Sequence, residues 1–102
     1  MDVILTGRFL GADEALRAGI VARVVTREGW LEESKRVARE IAAKSPVALR
    51  LAKEAIEQAF EAPLTVGLEF ERRSFYLARA SEDATEGLNA FIEKRKPDFT
   101  GR

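Results

Sequence analysis

Apolar residues recur at intervals of three and four along most of this chain, and Gly and Pro break the pattern at short intervals, which predicts a succession of helices. The first apolar run, Asp2-Val3-Ile4-Leu5, is too brief to close a helix or pair as a hairpin by itself. Residues 11–18 read as a short helix with Glu14 in its first turn, Leu16 turned inward and Gly19 as a left-handed C-cap before Ile20. Val21, Val24 and Val25 suggest a short extended piece. Residues 28–44 place Trp30, Val37, Ala38 and Ile41 on one face, as in a surface helix packed along one side. Ser45 and Pro46 then form an N-cap and a first helical position, opening a helix to about residue 60 whose apolar face is wide enough to be largely buried. The fold class is therefore mainly α, with about five helices and at most one short strand.

The stretch 64–80 differs from its neighbours. Leu64, Leu68 and Phe75 share one face, while Val66, Phe70 and Leu77 lie roughly opposite. A helix apolar on two opposed faces must be covered on both. The other helices could cover one of them, and the second asks for a partner surface. The tail, 81–99, reads as one amphipathic helix with Ser81 as N-cap and Glu82 and Asp83 in the first turn. Ala84, Leu88, Phe91 and Ile92 make its apolar stripe, Lys94, Arg95 and Lys96 fall in its last turn, and Pro97 stops it.

Composition narrows the chemistry. At 102 residues the chain is one domain at most, with a modest core. Seventeen basic and seventeen acidic residues balance, which argues against a nucleic-acid binder working through a basic surface. There is no cysteine and no histidine, so disulfides, thiolate or imidazole metal sites and Ser-His-Asp or Cys-His catalysis cannot be built here. No apolar run approaches the ~20 residues of a membrane span, and the composition suits a reducing cytoplasm. The acids Glu69, Glu71, Glu82, Asp83 and Glu86 read as surface, capping or ion-pair residues, so no catalytic and no metal-binding residue is assigned.

One ordering exceeds helix logic. Ser81-x-Asp83-Ala84-x-Glu86-Gly87-x-x-Ala90-Phe91-x-Glu93-Lys94-Arg95-x-Pro97-x-Phe99 places Gly87, costly by about 1 kcal/mol in a helix interior, between an acid pair and an Ala-Phe. This run resembles the C-terminal signature of the enoyl-CoA hydratase/isomerase (crotonase) superfamily. A second run agrees with it: Leu5-Thr6-Gly7-Arg8, then Ala12, Glu14-Ala15-Leu16, Gly19-Ile20-Val21 and Val24-Val25, as does Gly67, Glu71, Phe75 and Tyr76 leading into the tail. The resemblance covers Asp2 to Phe99 but only the last part of a typical family member. It implies that 1–102 is the C-terminal helical segment that completes a trimer, often paired into a hexamer, and part of the CoA site. It also implies that the ββα spiral core, with its oxyanion hole and catalytic carboxylates, lies outside this sequence.

The same resemblance implies two cofactor-site residues for the CoA of an adjacent subunit: Phe91 packing by the adenine, and Lys94 meeting the nucleotide phosphates, with Arg95 and Lys96 beside them. Their local account, Phe91 as packing stripe and Lys94 as helix-terminal cation, covers both residues as well. The expected function is that of a C-terminal piece of an enzyme acting on acyl-CoA thioesters, needing no cofactor besides that substrate and inactive by itself. Hydratase, isomerase and other crotonase chemistries differ in upstream carboxylates and are not separated here. The competing reading is a stand-alone helical module for oligomerisation or interaction, without catalysis.

Overall fold

The computed structural model describes all 102 residues as six α-helices with no strand. They are α1 (Asp2–Thr6), α2 (Ala12–Arg17), α3 (Trp30–Ala42), α4 (Pro46–Glu61), α5 (Leu64–Arg79) and α6 (Glu82–Ile92). The chain divides within α3 into two compact units, Met1–Val37 and Ala38–Arg102.

In the first unit, the run Asp2–Leu5, expected to be too short to close a helix, does close one turn with Thr6. The Thr6 hydroxyl donates to the Asp2 carbonyl at 2.8 Å, and Gly7, at φ 66°, turns its N–H back to the Val3 carbonyl. Arg8 ties that turn to α2: its Nε donates to Asp2 at 2.6 Å and its two terminal nitrogens fork onto Glu14 at 3.0 and 2.7 Å. The predicted C-cap of α2 is present, with Gly19 at φ 72° and the N–H of Ile20 donating to the Ala15 carbonyl at 2.9 Å. Leu16 does not turn inward; it is substantially exposed, and Val21, Val24 and Val25 pair with no strand. Along α3, Trp30 and Ile41 also stand open, so the face expected to be packed is mostly uncovered.

The second unit is built on α4 and α5, which fold back on each other across Ala62 and Pro63. The α4 start is as expected: Ser45 caps it, its Oγ accepting from the Ala48 N–H at 3.3 Å, and Pro46 holds the first position. Burial is far smaller than the pattern suggested. Leu51 and Ala90 are the only buried apolar residues. A buried Leu contributes about 1.5–3 kcal/mol, so full burial supplies little of the stability here. The two-faced helix explains why. The covered stripe of α5 runs through Gly67, Phe70, Ser74 and Ala78, and of the residues on its two apolar faces takes in Phe70 alone. Leu64, Leu68 and Phe75 on one face, with Val66 and Leu77 on the other, are all more than half exposed. An apolar groove of about 510 Å³ opens between α4 and α5, lined by Ala52, Ile56, Leu64, Leu68 and Phe75 among others.

Candidate functional site

The chain beyond α6 folds back over that helix, and polar groups hold it there. Ser81 caps the helix as predicted, accepting from the Ala84 N–H at 3.1 Å. Asp83, in the first turn, is 2% exposed. Its carboxylate accepts from the Ser45 hydroxyl at 2.7 Å, from the Thr100 N–H at 2.8 Å, and from the Gly101 N–H at 3.1 Å to each oxygen. Its own N–H donates to the Arg102 carbonyl at 3.1 Å. The Ser45 hydroxyl, followed by the Thr100 and Gly101 amides, holds the Asp83 carboxyl below the usual range, against burial that pushes it up. One carboxylate thereby joins the starts of α4 and α6 to the C-terminal tail.

The side of α6 that is covered follows from this. It runs through Asp83, Gly87 and Ala90, about a third of a turn from the apolar stripe Ala84, Leu88, Phe91 and Ile92. The Phe99 ring lies beside Gly87, 3.4 Å from where a Cβ would stand. That is ordinary contact for an Ala, so the close approach favours a small residue without demanding glycine.

The helix ends earlier than its cations. Ile92 is the last helical residue, Glu93 the C-cap, and Lys94, Arg95 and Lys96 lie beyond the last turn instead of in it. The end is a Schellman motif: the Lys94 N–H donates to the Phe91 carbonyl at 3.3 Å and the Arg95 N–H to the Ala90 carbonyl at 3.0 Å. Lys94 takes the left-handed position of that motif at φ 54°, the only non-glycine residue of the chain with positive φ. Glycine holds that position by default, because a Cβ there costs on the order of 1–2 kcal/mol.

The two residues expected to meet a nucleotide are both available. Phe91 is 82% exposed, so the packing account of its ring fails within this chain. Lys94 is exposed and its ammonium has no partner. Arg95, by contrast, is consumed. Its terminal nitrogens fork onto Glu86 at 2.6 and 2.8 Å, its Nε donates to Glu93 at 2.6 Å, and Nη1 also reaches the Lys96 carbonyl at 3.2 Å. The Asp98 N–H donates to the same Glu86 carboxylate at 2.8 Å, and Arg95 first and then this amide push the carboxyl down to about 2. The remaining acids behave as expected, Glu69 with Arg72 and Arg73, and Glu82 with Arg102 at 3.6 Å. No cluster of acids is placed to hold a metal ion. The Asp83 anchor and the Glu86–Arg95 fork were missed in the sequence; the one available signal was an acid at 83 and another at 86 preceding a Gly, a Pro and a Phe.

Comparison with known proteins fits this arrangement into a family. The sequence pattern described as enoyl-CoA hydratase/isomerase matches residues 1–102, the whole chain. The chain belongs to the enoyl-CoA hydratase/isomerase family. It is similar to a Mycobacterium bovis protein named "Probable enoyl-CoA hydratase echA8", 52% identical over 102 residues, which are 100% of this chain and 40% of that protein. Among solved structures, an enoyl-CoA hydratase of Bacillus anthracis superposes with a TM-score of 0.94 at 39% identity, over 99% of this chain and 39% of that one. A Geobacillus kaustophilus enoyl-CoA hydratase subunit superposes with a TM-score of 0.88 at 52% identity, over 95% and 38%. The chain thus spans about 40% of the length of the enoyl-CoA hydratases it matches. Its six helices correspond to the helical C-terminal part of the crotonase fold.

Proposed function

We propose that this segment works as the C-terminal helical part of a longer enzyme acting on acyl-CoA thioesters, where it completes an oligomer and part of the CoA site. The observation that carries the reading is the pairing of Phe91, 82% exposed, with an unpartnered Lys94 one turn of chain away, on a segment matched along its whole length by one enzyme family. Phe91 offers an aromatic face to adenine, and Lys94 offers a compact, mobile charge to a nucleotide phosphate. Subunits associate through the apolar faces of α5 as a trimer or a pair of trimers. The thioester is the substrate, no further cofactor takes part, and nucleic acid is no partner. Acid–base chemistry and the oxyanion hole belong to residues outside 1–102, so this segment alone does not hydrate an enoyl-CoA. No helix here is long and apolar enough to cross a membrane, and the reading places the enzyme in the cytoplasm.

The test is Lys94→Ala in a full-length chain carrying this segment. A charge-assisted contact to phosphate is worth about 1.5–3 kcal/mol, and one at an exposed rim falls near or below the low end. The Michaelis constant for an acyl-CoA should rise roughly tenfold with little change in turnover, because the contact is remote from the reacting carbons. A smaller penalty with dephospho-CoA thioesters assigns the 3′-phosphate. No penalty with either substrate would return Lys94 to the role of a helix-terminal cation.

A further inference from the structure

The turn after α6 is restrained on both sides of Lys94 by groups unsuited to holding an anion. Arg95 spends both terminal nitrogens on Glu86 and its Nε on Glu93, while Glu86 also accepts the Asp98 N–H. The Glu86–Arg95 pair spans nine residues, so it is no ordinary pair along a helix face. It bolts the segment past the helix end back onto the body of α6. Inside that loop sits one residue in a backbone region that lysine avoids, with its side chain uncommitted. A strained backbone of this kind persists only where its surroundings over-determine it; here the Schellman hydrogen bonds set the turn and the Glu86–Arg95 fork closes over it.

We infer that Glu86 and Arg95 are positioning residues for Lys94: the fork between them fixes the left-handed turn that aims the lysine at its anionic ligand. This rests on the reading of Lys94 as a nucleotide-phosphate contact, and it adds that an acid on α6 favours the binding of an anion. The sign of that effect separates positioning from charge. Removing a carboxylate near a phosphate site should, by electrostatics alone, leave anion binding unchanged or tighten it. Loss of the fork should weaken it, because a freed turn populates conformations in which the lysine is misdirected.

The experiment is a double-mutant cycle on a full-length chain carrying this segment, with the KM and kcat for crotonyl-CoA measured for the parent, Lys94→Ala, Glu86→Ala and the double variant. Glu86→Ala should raise KM roughly fivefold with kcat held within about twofold, and the double variant should be no worse than Lys94→Ala alone. Arg95→Lys keeps a cation but loses the fork, and should repeat the Glu86→Ala result. It also serves in place of Glu86→Ala should that variant fail to fold. A raised KM for Lys94→Ala with an unchanged or lowered KM for Glu86→Ala and Arg95→Lys overturns the positioning role and leaves the phosphate contact standing. Fully additive penalties in the double variant overturn it too, since Glu86 would then act by another route. An unchanged KM for Lys94→Ala overturns the phosphate contact itself, and the positioning role with it.

Discussion

At the scale of single residues, Lys94 and Asp83 show how far local rules reach. Sequence rules look for Gly after the last periodic residue of a helix, and a Lys-Arg-Lys run there reads as cations complementing the helix dipole. No local pattern announces that Lys94 takes the left-handed position itself, nor that a fork joining residues nine apart, Glu86 and Arg95, closes around it. Glycine relieves the strain, so Lys94→Gly should stabilise the folded chain by about 1 kcal/mol, seen as a raised midpoint in chemical denaturation. In a full-length chain the same change should weaken acyl-CoA binding as much as Lys94→Ala, trading function for stability. A loss of stability in Lys94→Gly would mean that the lysine side chain makes contacts that outweigh its backbone strain. Asp83 was legible as a first-turn acid, which it is. Its larger role was not legible, because its partners stand 38, 17 and 18 residues away and no local pattern reports them.

At the scale of elements, the helices were read well because their signals are local: Ser45 and Ser81 as caps, Pro46 as a restart, Gly19 as a stop. The turn Asp2–Thr6 was missed because a five-residue helix is too short to show a period; a threonine back-bond, a left-handed Gly7 and Arg8 close around it. The covered face of α6 was misassigned for a related reason. Periodicity locates apolar side chains, and here a polar anchor with a returning aromatic ring does the covering. That arrangement makes α6 sensitive to acid. The Glu86 carboxyl falls from the ordinary 4.5 to about 2 in the folded chain, chiefly through Arg95. Between those values the unfolded chain binds the extra proton, so the contribution of Glu86 is present above about pH 4.5 and is lost as pH falls toward 2. Asp83, also depressed, acts in the same direction. Denaturation midpoints should therefore fall through that window, and Glu86→Gln should flatten the fall; an unchanged slope in the variant would show that the fork contributes nothing to it.

At the scale of the whole chain, the two-faced helix α5 was legible as a demand for outside partners, and the demand proves larger than expected. The sequence suggested one open face, whereas Leu64, Leu68 and Phe75 on one face and Val66 and Leu77 on the other are all more than half exposed, and Phe70 alone is drawn in. Exposed apolar area of this kind draws on whatever is available. Light scattering across a concentration series should show mass above that of one chain, or else binding of a hydrophobic dye. Leu68→Glu or Phe75→Glu should reduce that association or dye binding, and Arg39→Glu should not. A compact monomer that binds no dye would contradict the exposure of these faces.

Tethering through Asp83 has a consequence for how this unit comes apart. Chain ends ordinarily fray residue by residue, exchanging their amide hydrogens first. Here the amides of Thr100 and Gly101 bond to a buried carboxylate that also binds the N-cap of α4. Releasing either amide strips a hydrogen bond from the carboxylate that also holds Ser45, so opening the tail is coupled to loosening the start of α4. The amides of Thr100 and Gly101 should then exchange together with the helical hairpin they lock, a protection that hydrogen exchange would read directly.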